Sequence, residues 1–92
     1  MTTPKFALGS LVATPAALEA LERAGQSPAE FLIRHAAGDW GEVDATDRKL
    51  NDAAVKAVER ILSAYKTKAG ERIWIITEAD RSSTCILLPE EY

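Results

Sequence analysis

The stretch Arg72-Ile73-Trp74-Ile75-Ile76-Thr77 decides the fold class of this 92-residue chain. Five of its six residues are β-branched or aromatic, a composition that favours a strand over a helix. Apolar runs also lie on both sides of it, at Ile61–Tyr65 and at Ser83–Leu88. Polar turn segments, Lys66–Gly70 and Glu78–Ser82, join the runs. Two hairpins in succession predict a C-terminal antiparallel meander of three strands.

The sequence before this meander carries helix-start signals. Thr14 followed by proline predicts a first helix over residues 15–24, with the threonine as its N-cap. The segment Ser27–Glu30 has the pattern of a capping box with proline at the first helical position, which predicts a second helix over residues 28–37. Because only about three residues separate these helices, we expect them to form an antiparallel helical hairpin.

A third helix has the clearest period in the chain. Apolar residues recur from Leu50 to Val58 at i, i+3, i+4, i+7 and i+8, which predicts a helix that begins near Asp44–Thr46. The apolar run Phe6–Ala13 predicts a short strand. We therefore expect one α+β domain over residues 1–92, with the N-terminal short strand and three helices packed on one face of the C-terminal antiparallel three-stranded meander.

Composition limits the classes of partner. Asp and Glu total 14 and Lys and Arg total 11, so the net charge is -3. This balance argues against a nucleic-acid partner, because such partners are usually bound by a basic patch. No apolar stretch approaches the ~18 residues that cross a membrane, and the first residues lack a signal-peptide pattern. Cys85 is the one cysteine, which excludes an internal disulfide and fits a cytoplasmic protein.

Motifs for catalysis and for cofactors are missing from the sequence. It contains no P-loop, dinucleotide fingerprint, zinc-ligand spacing or nucleophile elbow. Acidic residues near the middle of the chain offer oxygen ligands for a hard cation, but their spacing does not fit an EF-hand and helix capping explains them better. These residues are Asp39, Glu42, Asp44 and Asp47. We predict no cofactor, no metal ion and no catalytic residue.

Two loops carry the candidate binding residues. Glycines bracket Asp39 and Trp40, and tryptophan is enriched at interface hot spots; the alternative is a tryptophan that folds back to seal the edge of the core. In the turn between the last two strands, Glu78, Asp80 and Arg81 place acids beside an arginine, which suits a grip on a partner or a phosphate. The alternative there is an Asp-capped turn with solvated charges.

Three further features have both a functional and a structural interpretation. His35, the one histidine, is either a general base or a helix-end residue. Cys85 lies within a predicted strand, where a buried structural thiol is the better interpretation because nothing nearby would lower its pKa. The segment Pro89–Tyr92 is either a docking tail or an edge-docked terminus.

Several strings together resemble a group of short bacterial proteins that are carried on plasmids and integrative elements. Some members of this group are labelled plasmid-related or restriction–modification-related. The matching strings are Gly38–Gly41, Arg60–Tyr65, Trp74–Ser82 and Ile86–Tyr92. The resemblance implies an accessory role on a mobile element and carries over no catalytic residue. It does not imply methyltransferase activity, because that cofactor fold is far larger than 92 residues can build.

The leading hypothesis is a small non-enzymatic protein-interaction module that acts on a component of a host defence or restriction system. Its expected contact residues are Asp39, Trp40, Glu78, Asp80 and Arg81. One alternative is a small phosphodiesterase or ribonuclease of the toxin kind, in which His35, Arg81 and a carboxylate would converge in one pocket. Another is an oligomeric structural protein that associates through Ser83–Leu88 as an exposed edge strand.

Overall fold

Helices precede most of the sheet in the computed structural model, which describes residues 3–92. In chain order the elements are β1 (Ser10–Ala13), α1 (Pro15–Ala24), α2 (Pro28–Ala36), α3 (Ala45–Lys56), β2 (Ile61–Lys66), β3 (Arg72–Thr77) and β4 (Ser83–Leu87), followed by a 3₁₀ turn at Pro89–Glu91. Each predicted helix and strand is present, and β3 has the predicted bounds. The α+β class is confirmed.

The sheet is four-stranded and mixed, which corrects the prediction of a three-stranded antiparallel sheet. Strands β2, β3 and β4 pair as two antiparallel hairpins, as predicted. Strand β1 adds beside β4 in parallel, with Ser10 opposite Ser83 and Ala13 opposite Ile86, and the strand order is β1-β4-β3-β2. The N-terminal strand therefore extends the sheet rather than lying apart from it.

Strand β1 is shorter than the predicted run Phe6–Ala13. Gly9, just before the strand, has a φ of +67°, and a Cβ there would lie 2.4 Å from the backbone oxygens of Arg81 and Ser82. The chain bends at this glycine and passes close against the β3–β4 turn. The residues before it leave the sheet, and Phe6 packs against the core instead.

Two of the three predicted N-caps are confirmed. The Thr14 hydroxyl accepts a hydrogen bond from the backbone N–H of Ala17 at 3.1 Å, at the start of α1. The Asp44 carboxylate accepts a hydrogen bond from the backbone N–H of Asp47 at 2.8 Å, at the start of α3. The predicted capping box at Ser27 is wrong, because this side chain makes no cap hydrogen bond. Helix α2 still begins at Pro28, whose fixed φ suits the first helical position.

The main core lies between the sheet and the first two helices. Leu21 of α1 and Phe31 of α2 pack against Tyr65, Ile73 and Ile75 on one face of the sheet. A second cluster joins α3 to β2 and to the loop before α3; its buried members are Trp40, Val43, Ala54 and Ile61. Helix α3 therefore packs at the β2 end of the sheet.

The outer edge of β2 is covered by other parts of the chain. The side chain of Asn51 pairs with the backbone of Leu62, donating to its oxygen at 2.7 Å and accepting from its N–H at 3.3 Å. The backbone N–H of Ala64 donates to the oxygen of Trp40 at 3.1 Å, and its oxygen accepts from the N–H of Glu42 at 2.6 Å. Helix α3 and the loop before it thus supply the partners that a further strand would otherwise provide.

Substitution of Gly41 is expected to disrupt this covered edge. A Cβ at Gly41 would lie 2.0 Å from the backbone oxygen of Ala64, and the φ of Gly41 is +75°. We expect Gly41→Ala to lower the free energy of unfolding by about 3 kcal/mol or more, measured by urea titration.

Gly70→Ala is the matched control for this substitution. Gly70 has a φ of +88°, but nothing lies within 4 Å of an added Cβ. It should therefore show only the left-handed backbone cost, ~1–2 kcal/mol. Equal losses in the two variants would contradict the close approach of Gly41 to β2.

Candidate functional site

Trp40 is part of the core. Its side chain is 3% exposed. The indole Nε1 donates to the carboxylate of Asp52 at 2.9 Å, and the ring stacks on Phe6 with centroids 6.1 Å apart. Of the two interpretations of this residue, the structure shows the tryptophan that seals the core edge. The folded chain therefore presents almost none of Trp40 to a partner.

Asp39 fixes the loop that carries Trp40. Its carboxylate accepts from Nε of Arg34 at 2.6 Å and from the backbone N–H of Gly41 at 3.2 Å. The hydrogen bond from Arg34 lowers the pKa of Asp39 below its usual value. The Asp39 side chain is 51% exposed and therefore accessible, but its charge is already paired with that of Arg34.

Arg81 binds the end of α3 rather than facing solvent. Its guanidinium donates to the backbone oxygens of Ala54 at 2.7 Å and Ala57 at 3.2 Å. It also donates to the oxygen of Glu59 at 2.6 Å. The last carbonyls of a helix carry the negative end of its dipole, so a guanidinium there caps the helix. The φ of Arg81 is +60°, which turns the chain so that the side chain reaches α3.

The two predicted binding loops meet at Phe6. Its ring stacks on Trp40 on one side, and the guanidinium carbon of Arg81 lies 5.5 Å from its centroid. This contact joins the loops internally. Glu78 and Asp80 remain exposed, and Asp80 accepts a hydrogen bond from the turn's own backbone at 3.0 Å. Contact of these two acids with a partner stays a prediction.

His35 is buried and engaged at both ring nitrogens. Nδ1 lies 2.5 Å from Oγ of Ser63, and Nε2 lies 2.9 Å from Oγ1 of Thr77. The Thr77 hydroxyl in turn lies 2.7 Å from that of Thr84, which donates to the backbone oxygen of Leu8 at 2.7 Å. A continuous chain of hydrogen bonds therefore links α2, all three strands of the meander and the N-terminal segment.

The direction of this chain fixes the tautomer of His35. The Leu8 oxygen only accepts, so the single hydroxyl proton of Thr84 goes to it. The Thr77 hydroxyl must then donate to Thr84, and Nε2–H of His35 must donate to Thr77. Nδ1 is left to accept from Ser63. Desolvation on burial lowers the pKa of His35 from the usual 6.5 to about 4, so the ring is neutral at pH 7.

His35 and Arg81, which the enzyme alternative requires, both lie beside the ring of Phe6, and both are engaged within the fold. His35 is 0% exposed, and the donors of Arg81 are taken by backbone oxygens. Three grooves on the surface of residues 3–92 are lined by other side chains. In this part of the chain, no three His, Cys, Asp or Glu side chains are grouped so that they could hold a metal ion. Nor does any helix there have the length and apolarity to cross a membrane.

Strand β1 forms the second edge of the sheet, and no other strand of residues 3–92 pairs with its outer side. The backbone N–H groups of Ser10 and Thr14 donate towards β4, each at 3.0 Å. Because successive strand residues direct their N–H and C=O groups to opposite sides, Leu11 and Ala13 direct theirs outward. Within residues 3–92, no loop or helix supplies a hydrogen bond to these outward groups.

An apolar groove of about 360 Å³ runs beside β1. It is formed by the N-terminal segment, β1 and α2, and none of its lining residues is charged. Leu8 and Leu32 line it, together with Leu11 and Ile33, which are 57% and 62% exposed. Val12 is 51% exposed and points to the opposite face of the sheet. We call the outward side of β1 together with this groove the open edge.

Sequence reasoning placed the exposed edge in the wrong strand. The oligomer alternative assigned it to Ser83–Leu88, but β4 lies between β1 and β3. Charge gave no signal for the correct edge, because the runs Ser10–Ala13 and Ser83–Leu88 are both uncharged. The pairing of β1 with β4 was needed to identify it.

Removal of the Arg81 side chain is expected to destabilise the fold. Arg81→Ala leaves the terminal carbonyls of α3 without their charged donor, and hydrogen bonds to charged groups are worth about 1.5–3 kcal/mol. We expect the free energy of unfolding to fall by about 2 kcal/mol in urea titration. Arg72→Ala, at an exposed arginine of β3, should change it by less than about 0.5 kcal/mol. Similar losses for both would exclude the capping role.

The buried His35 is expected to make stability depend on pH. The unfolded chain takes up a proton as the pH falls through 6.5, whereas the folded chain resists until about 4. The free energy of unfolding should therefore fall between pH 6.5 and pH 4, by about 3 kcal/mol in total.

His35→Gln is the control for this pH dependence. It should be less stable than the wild type at pH 7, because a buried network is broken. It should also lack this part of the pH dependence, so the two proteins approach one another in urea titrations at pH 7, 5.5 and 4.5. Parallel pH profiles would contradict a neutral buried imidazole.

Comparisons with known proteins provide no further evidence on the function of this chain. No protein-family model matches this chain, and no curated protein or solved structure matches it.

Proposed function

We propose that this chain is a non-enzymatic protein-interaction module that binds a partner by strand addition at the open edge. One observation carries the proposal, namely the contrast between the two edges of the sheet. The outward groups of Leu62 and Ala64 on β2 are paired with Asn51 and with the loop before α3. Those of Leu11 and Ala13 on β1 receive no such cover from residues 3–92.

Both hydrogen bonding and apolar burial favour an added strand. The outward groups of Leu11 and Ala13 comprise two donors and two acceptors, so a further strand makes up to four backbone hydrogen bonds. Backbone pairing of this kind supplies affinity in strand addition, and pockets beside the edge supply specificity. The exposed side chains of Leu11, Val12 and Ile33 would lose water contact in the same step, which is favourable.

The partner segment has a defined chemistry. The groove beside β1 has no charged lining residue, so a charged side chain entering it would lose hydration without a counter-charge. The segment that fits is extended and uncharged, with apolar residues at alternate positions on the groove side. A segment with lysine or glutamate at those positions is excluded.

The biological role that we propose for this module rests on the resemblance to short proteins of plasmids and integrative elements. That resemblance supports an accessory role on a mobile element, with a component of a host defence or restriction system as the class of partner. A cytoplasmic location is supported by the single cysteine. Cys85 is half-buried, and burial raises the pKa of its thiol, so it is poorly reactive there.

A labelled strand peptide tests the proposed function. The probe is an N-acetylated, fluorescein-labelled peptide of alternating threonine and valine, and binding is followed by fluorescence anisotropy. We expect saturable binding to the wild-type chain. N-methylation of alternate residues removes the donors on one side of the peptide but keeps its side chains, and should weaken binding at least tenfold.

A variant of the protein provides the second arm of this test. Leu11→Lys places a charge at the open edge and should weaken binding of the unmodified peptide at least tenfold. Val58→Lys, at an apolar residue that is 77% exposed and lies outside the open edge, should bind normally. Equal affinity for the methylated and unmodified peptides would overturn the proposed function.

A further inference from the structure

We infer that the segment occupying the open edge is β1 of a second copy of this chain, so that the protein is a two-fold symmetric dimer with one continuous eight-stranded sheet. This inference rests on the proposed function, because it names the partner that the same edge takes. It is carried by the self-complementarity of β1 in hydrogen bonding, in charge and in shape.

The hydrogen-bonding groups of β1 match their own copy. In an antiparallel pair, residues whose backbone groups point towards each other exchange two hydrogen bonds. The outward residues of β1 are Leu11 and Ala13, and an antiparallel second copy places Leu11 of each chain opposite Ala13 of the other. The two pairs make four hydrogen bonds, which use every outward group of Ser10–Ala13. Val12 then lies on the two-fold axis, opposite Val12 of the second copy.

Charge also favours a second copy at this edge. Near a two-fold axis each charged residue meets its own copy, so a self-pairing strand must be uncharged there. Strand β1 reads Ser-Leu-Val-Ala and satisfies this condition. The opposite edge strand, β2, ends in the exposed Lys66, the kind of residue that protects an edge from pairing. The two edges are therefore distinguished by charge as well as by their hydrogen bonds.

The apolar surfaces of the two copies are brought together by the same pairing. Leu11 of the second copy lies on the same sheet face as Ala13, whose small side chain packs against the core. In the antiparallel pair, the C-terminal end of β1 in one copy lies next to the N-terminal end of β1 in the other copy, where Leu8 lines the groove. The second copy therefore brings the start of its α1, with Leu18 at 45% exposure, to that groove.

The oligomeric state in solution tests the inference directly. Size-exclusion chromatography with light scattering should give a mass near twice the 10.0 kDa of the chain. Val12→Lys puts two lysines against each other on the axis and should raise the dimer dissociation constant at least tenfold. Val58→Lys makes the same chemical change at another exposed valine and should remain dimeric. Circular dichroism establishes that each variant is folded, and Leu11→Asp replaces Val12→Lys if the latter does not fold.

A charge-swap mixture tests the register. Val12→Glu alone should also be monomeric, but an equimolar mixture of V12K and V12E should recover a dimer, because opposite charges then meet at the axis. A dimer of unchanged strength in V12K, or a mixture that stays monomeric when both variants are folded, would overturn the β1 pairing.

The outcomes separate this inference from the proposed function. A wild-type chain that is monomeric at millimolar concentration, yet binds the threonine–valine peptide in a Leu11-dependent manner, would overturn the dimer and leave the interaction module standing with a different protein as partner. A monomer that does not bind the peptide would overturn both. A dimer that V12K dissociates supports both.

Discussion

The hydrogen-bond chain through His35 is the constraint on which the rest of the structure depends. It ties α2 to β2 and β3 directly, and through Thr77 and Thr84 it reaches β4 and the oxygen of Leu8. A fully satisfied buried network rigidifies the core, so these hydrogen bonds hold each of these segments in place. The N-terminal segment is thereby fixed beside β4, which in turn places β1 at the edge of the sheet.

The second constraint is the closure of the β2 edge, where Asn51 and the loop before α3 pair with the backbone of Leu62 and Ala64. Trp40 and Asp39, which have the composition of a binding loop, are used to hold that loop against β2 and α3. Arg81 is used in the same way, because its guanidinium satisfies the carbonyls that end α3. Residues with the chemistry of a binding site therefore serve the fold, and the surface that we propose for a partner lies at the opposite edge.

The difference between the two edges of the sheet explains why an apolar strand rather than a charged loop is the candidate interface. A charged loop in a small domain can satisfy its groups internally, whereas the last strand of a sheet cannot pair its outward side with itself. Strand β1 lies at an end of the sheet with Leu11 and Val12 exposed, and no cover for it is present in residues 3–92. In a domain of this size, such an edge is either an interface or an aggregation hazard.

The sequence by itself determined the elements, because they depend on local chemistry. The β-branched run Arg72–Thr77, the Thr14 cap and the Asp44 cap act over a few residues, and the structure contains each of them. The apolar period from Leu50 to Val58 predicted helix α3 but not its buried face, because Leu50 and Val58 are exposed whereas Asn51 and Ala54 are buried. Only the tertiary structure decided that β1 pairs with β4, that Trp40 is buried and that Arg81 binds the end of α3. These depend on contacts between residues far apart in the chain, for which composition and spacing carry no signal.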